Sequence, residues 1–139
     1  MKRYLLDTSA LLTLRDEENG ADQVAEILGQ ARQQRAHCFA CFMTLMEVFY
    51  RVWKDEGELE GRLAYEQCQA LPLQWLHQDK ALLEKAAEVK ARHQVSLADA
   101  WIAACAILHD AQLVHKDPEF EGLDCAQVRL PCKEREEKK

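Results

Sequence analysis

The sequence has no long apolar run and no excess of positive charge. No window approaches the ~20 apolar residues that a membrane span requires. After Met1-Lys2-Arg3, Asp7 interrupts the apolar stretch before a secretory signal could be complete. The formal net charge is -6, with 24 acidic against 18 basic residues, which argues against binding nucleic acid through a broadly basic surface. We therefore expect a soluble cytoplasmic protein with no membrane partner.

Repeats, low-complexity segments and long linkers are also missing from the 139 residues. A chain of this length is expected to form one domain, and a hydrophobic share of 48% is enough for a real core. We predict a single domain over residues 1–132. The remaining residues, 133–139, are a mixed charge run that we expect to be a solvated tail without a site.

Cysteine pairs suited to zinc are scarce, although six cysteines are present. Cys38 and Cys41 form one C-x-x-C pair, whereas a structural zinc site requires four ligands at paired spacings. His37 or the Cys125/Cys132 pair could complete such a site. The sequence nevertheless favours buried thiols, and disulfides are less expected still in a reducing compartment.

Short apolar runs alternate with segments of helical periodicity, which is typical of successive βαβ units. We predict strands at 4–6, 37–41, 73–76, 112–115 and 126–130. We predict helices at 9–14, around 24–31, from 43 to the stop at 57, at 59–71, at 79–92 and within 95–110. The expected fold class is a three-layer α/β domain with a sheet of four or five mainly parallel strands and helices on both faces.

The segment VSLADAWIAACAILHD is the most apolar of the predicted helices. Its predicted main apolar side consists of Leu97, Trp101, Ala104, Cys105 and Leu108. Alanine and isoleucine occupy much of the remaining surface. We therefore expect this helix to be nearly surrounded by protein.

Three acidic residues are predicted at one edge of the sheet, and a fourth, Asp99, could join them if its helix begins there. Asp7 ends the first strand, and Asp117 follows the strand at 112–115. Glu47 lies in the first turn of the helix after the second strand, and Asp99 in the first turn of the apolar helix. Because ligands bind outside the carboxyl ends of the strands in open parallel sheets, these side chains are candidates for one site.

Taken singly, each of these acids is better explained as part of a helix cap. Thr44-x-x-Glu47 matches a capping box, and Ser96-x-x-Asp99 matches a shortened one. Asp7 could cap a helix that begins directly after it. Asp117 could do the same, with proline at the first helical position. Capping thus remains open at all four positions.

Capping does not explain the apolar surroundings of these acids. Glu47 precedes Val-Phe-Tyr, and Asp99 lies between alanines and next to Trp101. Acids are rarely buried unless they are paired or bind a metal, and four converging anions would raise their pKa values or recruit a cation. An all-oxygen cluster selects Mg²⁺ or Mn²⁺, and such an ion can promote hydrolysis of a phosphodiester.

Four segments of the chain resemble those of the PIN-domain ribonucleases in order and approximate spacing. They are LLDTSALL, TLMEVFYRV, SLADAWIAACAI and LVHKDPEF. The small size is similar to that of the VapC-type toxins of toxin–antitoxin pairs, and the resemblance extends from residue 4 to about residue 130.

This resemblance implies a parallel sheet of strand order 3-2-1-4-5 and an endoribonuclease that depends on Mg²⁺ or Mn²⁺. The acidic ligands of the family map here onto Asp7, Glu47, Asp99 and Asp117. Ser9 matches a small polar position that supports the site. VapC-like proteins usually dimerise and are held inactive by a cognate antitoxin, so the resemblance also implies a homodimer and a VapB-like partner.

The chain departs from the family at His115, where Ser or Thr usually stands two residues before the last acid. His115 could hydrogen-bond a bound water or phosphate, or it could form an exposed strand end, which we favour. The departure makes Asp117 the weakest match of the four. Glu119, Glu121 or Asp124 could assist or replace it.

RNA would need basic or aromatic contacts near these acids, and few are available. The nearest basic candidates are Arg15, Arg51, Lys54, His115 and Lys116. They are too few to predict a path for the strand. We interpret Tyr50 and Trp53 as core or dimer contacts and not as platforms for bases.

Two other phosphate-handling families also place an aspartate after the first strand. A haloacid-dehalogenase-like phosphatase requires D-x-D, where this chain has Ser9, and a response-regulator receiver matches only loosely. The remaining alternative is a PIN-like fold that binds RNA or protein without cleavage. Because all four acids are present, the sequence favours catalysis.

Overall fold

The computed structural model describes residues 1–132, so the predicted charged tail at 133–139 lies outside the described residues. The strands are β1 (Lys2–Leu6), β2 (Ala36–Cys41), β3 (Gln74–Leu76), β4 (Gln112–His115) and β5 (Gln127–Arg129). The helices are α1 (Thr8–Arg15), α2 (Ala21–Arg32), α3 (Phe42–Glu56), α4 (Glu58–Gln69), α5 (Lys80–Arg92) and α6 (Leu97–Leu108). The predicted order of strands and helices is confirmed. Within residues 1–132, no helix is long and apolar enough to cross a membrane.

The sheet has five strands in the order β3-β2-β1-β4-β5, and every neighbouring pair is parallel. This confirms the expected 3-2-1-4-5 order. The central strand β1 pairs with β2 on one side, where Tyr4 lies opposite Cys38, and with β4 on the other, where Tyr4 lies opposite Gln112. The connections therefore diverge at the carboxyl end of β1, which is where open parallel sheets form their binding crevice.

Helices cover both faces of the sheet, which confirms the three-layer architecture. One core cluster joins the sheet to α5 and α6, and the other joins it to α1, α2, α3 and α4. Adjacent residues of the central strands belong to opposite clusters, as Leu5 and Leu6 do. The continuous apolar runs of β1 and β4 follow from this burial on both faces.

Helix α6 is buried through its small residues, and its predicted apolar side is partly wrong. Leu97 is 68% exposed and Leu108 is 41% exposed, at the two ends of the helix. Its buried residues are Ala100 and residues 102–106. The buried set consists of alanines with Ile102 and Cys105, so the two terminal leucines are not part of the core.

The C-x-x-C pair does not form a metal site, because its two thiols lie in different cores. Cys38 belongs to the cluster with α1 to α4, and Cys41 to the cluster with α5 and α6. Both are buried and free, and burial raises the pKa of the Cys38 thiol to about 11. The expectation of buried thiols agrees with this placement.

Helices α3 and α4 form a tight antiparallel hairpin. Gly57 joins them with a φ of 108°, a left-handed conformation that favours glycine. At Gly61 an added Cβ would lie 2.8 Å from the main-chain oxygen of Phe49. Tyr50 and Trp53 on α3 are 43% and 45% exposed, so neither is a core residue, and their contact with a second copy remains a prediction.

We expect Gly61→Ala to lower the free energy of unfolding by about 1–3 kcal/mol, because its Cβ would overlap main-chain atoms of α3. Gly29→Ala is the matched control: Gly29 lies within α2, and a Cβ there meets nothing within 4 Å. The control should gain about 0.5–1 kcal/mol from its helix preference. Urea unfolding of both variants tests this, and equal stability would contradict the described hairpin contact.

Candidate active site

Asp7 lies at the junction between β1 and α1 and is only 4% exposed. Its N–H donates to the carbonyl oxygen of Val114 at 3.1 Å, which continues the pairing of β1 with β4. Its carboxylate accepts the N–H of Ala10 at 2.8 Å as the N-cap of α1. The capping interpretation of Asp7 is therefore confirmed, and the cap is a buried one.

Ser9 connects this carboxylate to the neighbouring strand. Its hydroxyl donates to Asp7, with Oγ 2.7 Å from Oδ1 and 3.0 Å from Oδ2. The same oxygen accepts the N–H of Lys116, just after β4, at 3.0 Å. Ser9 thus ties the carboxyl ends of the two central strands together.

Burial raises the pKa of Asp7 to about 7. The hydrogen bonds from Ser9 and Ala10 oppose this rise, and the negative charges of Asp117 and Glu47 add to it. These carboxylates are therefore close enough to repel one another. A cation placed among them would relieve that repulsion.

Glu47 is oriented by Thr8, a residue that the sequence did not single out. Thr8 Oγ1 donates to Glu47 Oε1 at 2.6 Å and lies 3.0 Å from Thr44 Oγ1. A hydroxyl has one hydrogen, so Thr44 is the donor to Thr8. The predicted capping box is wrong here, because α3 begins at Phe42 after Cys41, and Thr44 is buried within its first turn.

Asp99 lies in the first turn of α6, where Ser96 is the N-cap and accepts the N–H of Asp99 at 3.1 Å. The return bond of the shortened capping box comes from another residue, because the carboxylate of Glu119 accepts the N–H of Ser96. The carboxyl of Asp99 instead hydrogen-bonds Glu119. Half of the predicted box is thus confirmed.

Asp99 and Glu119 act on each other's pKa. Burial, the hydrogen bond to Glu119 and the negative charges of Asp117, Glu119 and Glu47 raise the pKa of Asp99 to about 8. The same hydrogen bond is the main cause that lowers the pKa of Glu119. Ionisation of Asp99 is therefore opposed both by burial and by the carboxylates around it.

Asp117 completes a three-carboxylate cluster. It caps the short 3-10 turn Pro118–Phe120 and accepts the N–H of Glu119 at 2.9 Å, which confirms the predicted cap with proline at the first position. One carboxylate oxygen each from Asp99, Asp117 and Glu119 lies within 4.8 Å of the other two. The cluster brings together two of the four predicted acids. The charge of Glu47 raises the pKa of Asp99, and the charges of Glu47 and Asp117 raise the pKa of Asp7.

Glu121 and Asp124, the other candidate replacements for Asp117, make contacts outside the cluster. Glu121 forms an ion pair with Arg129, with an N–O distance of 3.2 Å. Asp124 lines a separate cavity with Lys85 and Arg92. Of the three candidates near Asp117, only Glu119 reaches the cluster.

His115 is fully buried, so its interpretation as an exposed strand end is wrong. The ring of Phe120 packs edge-on against it at a centroid distance of 5.1 Å, and both ring nitrogens make internal hydrogen bonds. The chain after β4 folds back over the end of the strand, which the local sequence pattern did not indicate. His115 is therefore not available to a bound water or phosphate.

Two of the basic candidates are already paired with acids. Arg15 makes two hydrogen bonds of 2.9 Å to Glu56, which raise the pKa of its guanidinium. Lys116 Nζ lies 3.3 Å from Glu18. The region around the acids is therefore not a broadly basic surface, in agreement with the net charge.

The donor set of the cluster suits a hard dication. All of its donors are carboxylate oxygens, a set that matches Mg²⁺ or Mn²⁺ and disfavours metals that require nitrogen or sulfur. The raised pKa values of Asp7 and Asp99 show that the folded chain disfavours the full negative charge of this site. A bound cation would restore the ionised form of both.

Several solved structures with a similar fold are named as toxins or toxin–antitoxin complexes. A toxin–antitoxin complex from Klebsiella pneumoniae is 23% identical, with a TM-score of 0.67 and coverage of 90% of this chain and 95% of that one. VapBC2 from Rickettsia felis, bound to a DNA fragment from its promoter, is 16% identical, with a TM-score of 0.75 and coverage of 93% and 99%. VapC20 from Mycobacterium tuberculosis, a sarcin-ricin loop cleaving toxin, is 18% identical, with a TM-score of 0.70 and coverage of 91% and 98%. These likenesses concern the fold.

Sequence comparison gives a single match, to a family. A search of curated proteins found no relative by sequence. The family model described as PIN domain matches residues 4–124, which is most of the chain and includes all the acids described above. Together with the strand order of its sheet, this match shows that the chain belongs to the PIN domain family.

Proposed function

We propose that this PIN domain is an endoribonuclease that depends on Mg²⁺ or Mn²⁺ and acts as the toxin of a VapBC-type toxin–antitoxin pair. The observation that carries the proposal is the convergence of Asp99, Asp117 and Glu119 within ligand distance of one another. Asp7 and Glu47 add negative charge beside them. Carboxylates that repel one another at the crevice of a parallel sheet are suited to hold a hard cation.

Asp7, Glu47, Asp99 and Asp117 are the proposed ligands and catalytic residues, with Glu119 as a fifth carboxylate. When bound, Mg²⁺ or Mn²⁺ supplies a Lewis acid and lowers the pKa of a water that can attack a phosphodiester. Ser9 and Ala10 hold the Asp7 carboxylate in place, and Thr8 orients Glu47. Burial and the neighbouring carboxylates raise the pKa of Asp99, so a bound cation would favour its ionised form.

The proposed partners follow from the family and from the similar structures. RNA is the proposed substrate, since VapC20 is named as a toxin that cleaves the sarcin-ricin loop. An antitoxin is the proposed regulator, because the Klebsiella pneumoniae and Rickettsia felis structures are named as toxin–antitoxin assemblies. We also propose that the chain is cytoplasmic and forms a homodimer, as implied by the resemblance to VapC-type toxins.

We expect Asp7→Asn to reduce metal-dependent RNA cleavage by at least about 100-fold, because the stabilisation of several kcal/mol that an ion provides would be lost. Asp79→Asn is the matched control, since Asp79 is also a helix N-cap and accepts the N–H of Leu82 at 2.8 Å. Asparagine caps helices as well as aspartate does, so both variants should fold.

The measurement is the cleavage of a labelled RNA by each purified variant with Mg²⁺, with Mn²⁺ and with excess EDTA. The wild type and the control should cleave only with a metal. Equal activity of Asp7→Asn and the wild type, or equal activity of the wild type in EDTA, would refute the mechanism. RNA binding without cleavage under every condition would favour the non-catalytic alternative.

We expect Asp7→Asn to stabilise the metal-free protein, and to do so more at pH 8 than at pH 5. The carboxyl has a pKa of about 7 in the folded chain against an ordinary value of 3.8, so its cost to folding grows as the pH rises between these values and is complete above pH 7. Two pH units lie between pH 5 and 7, and the extra gain at pH 8 is therefore about 2–3 kcal/mol.

Urea unfolding of both proteins in EDTA at the two pH values measures this gain. The same experiment on Asp79→Asn controls for replacing a capping carboxylate outside the site. A gain that does not change with pH would show that the Asp7 carboxylate is not strained by burial. Added Mn²⁺ should remove most of the stability advantage of Asp7→Asn, because the ion stabilises the wild type, which binds it, more than the variant.

We expect Glu119→Gln to weaken Mn²⁺ binding by about tenfold or more, because a carboxylate of the cluster is lost. Glu121→Gln is the matched control, two residues further along and paired with Arg129. Isothermal titration calorimetry at pH 7.5 compares the two variants. If they bind Mn²⁺ with the same affinity, Glu119 does not belong to the metal site.

A further inference from the structure

His115 has a tautomer that its hydrogen bonds determine. The main-chain N–H of Asp117 donates to His115 Nδ1 at 3.0 Å. A main-chain N–H can only donate, so Nδ1 carries no hydrogen and accepts with its lone pair. The single hydrogen of the neutral ring must then lie on Nε2.

Gln127, in strand β5, receives that hydrogen. His115 Nε2 lies 2.9 Å from Gln127 Oε1. The amide of Gln127 cannot present its nitrogen there, because Nε2 of the same amide donates to the carbonyl oxygen of Phe120 at 2.7 Å and lies 3.5 Å from that of Leu123. The orientation of Gln127 therefore fixes the tautomer of His115.

These bonds form a closed chain around the turn that carries Asp117. The chain runs from the Asp117 N–H through the His115 ring and the Gln127 amide to the carbonyl oxygen of Phe120. His115 and Phe120 have no exposed surface, and their rings pack edge-on. Water cannot replace these partners without opening the core, so the turn is held from both ends.

Two successive main-chain amides at this edge are held by side chains. Ser9 Oγ accepts the N–H of Lys116, and His115 Nδ1 accepts the N–H of Asp117. Neither amide belongs to the sheet, because β4 ends at His115. The direction in which the Asp117 carboxylate leaves the sheet is therefore set by these two acceptors.

We propose that His115 and Gln127 are positioning residues for Asp117. The neutral imidazole, held by Gln127 with its hydrogen on Nε2, fixes the main chain of Asp117 and hence the place of its carboxylate in the cluster. This inference rests on the proposed function in so far as Asp117 binds the cation. Neither residue contacts the substrate or the cation, and Gln127 acts only through the ring and the turn.

Two substitutions at His115 separate the roles of its nitrogens. In His115→Asn the amide oxygen can occupy the position of Nδ1 and still accept the N–H of Asp117. In His115→Gln the amide nitrogen can occupy the position of Nε2 and still donate to Gln127, but no acceptor remains for Asp117. Gln127→Leu leaves the ring in place and removes the group that fixes its tautomer.

The chain offers a matched control at the other end of the sheet. His37 Nε2 lies 2.9 Å from Gln74 Oε1, the same kind of pair, but at an exposed position away from the acids. His37→Gln should change none of the measurements below. It also identifies one of the five histidine ring signals in a spectrum.

The first measurement is the tautomer, read from long-range ¹H–¹⁵N NMR correlations of the histidine rings. In the wild type the His115 ring should be neutral and protonated on Nε2, and Gln127→Leu should lose the single form. A hydrogen on Nδ1 of His115 in the wild type would overturn the proposal, whatever the activity of the protein.

The second measurement is hydrogen exchange at the Asp117 amide, together with Mn²⁺ affinity and RNA cleavage. Protection of this amide should be kept in His115→Asn and lost in His115→Gln and Gln127→Leu. Mn²⁺ affinity and cleavage should fall by about 10–100-fold in the latter two and stay within about threefold of wild type in His115→Asn. Equal losses in His115→Asn and His115→Gln would assign the histidine a purely structural role.

Failure of the proposed function has a different signature. If the wild type neither binds Mn²⁺ nor cleaves RNA, the metal-dependent nuclease is refuted. The tautomer and the protection of the Asp117 amide then still decide whether His115 and Gln127 hold this turn. The loss of amide protection in Gln127→Leu is the result that supports the positioning role in every case, and unchanged protection contradicts it.

Discussion

The carboxylate of Asp7, buried at the end of the central strand, is the group around which the site is arranged. Its main chain continues the pairing of β1 with β4, its oxygen caps α1, and Ser9 joins it to the first residue after β4. The next residue, Thr8, orients Glu47. A charge in this position is costly, and the hydrogen bonds that hold it only partly offset the burial. The Asp7 carboxylate stays buried because β1 and α1 pack into the core on either side of their junction.

Capping does not preclude the proposed metal binding by the same residues. Asp7 and Asp117 each accept a main-chain N–H at the start of a helical turn, yet both remain part of the group of acids at the edge of the sheet. A carboxylate has more acceptor sites than one cap uses, so a second interaction does not require the first to break. At Asp7 and Asp117, helix capping is therefore no argument against the proposed metal binding.

The fold was accessible from the sequence because hydrophobic periodicity reports local structure directly. The positions of Asp7 and Asp117 follow from where the apolar runs end, whereas the strand order was implied by the resemblance to the PIN-domain family. The parts that were missed depend on contacts between distant segments. The bond from Thr8 to Glu47 and the burial of His115 under Phe120 have no signature in the local pattern. Helix α6 misled in another way, since its terminal Leu97 and Leu108 are exposed and its buried residues are Ala100 and residues 102–106.

The strand order also determines when during synthesis the site can exist. The central strand is the first to be made, but one of its two neighbours, β4, begins only at residue 112. Two members of the carboxylate cluster, at 117 and 119, come later still. Until that part of the chain has left the ribosome, the Asp7 N–H lacks its bond to Val114 and the cluster has a single acid. The growing chain therefore acquires its concentrated negative charge only when the domain is almost complete.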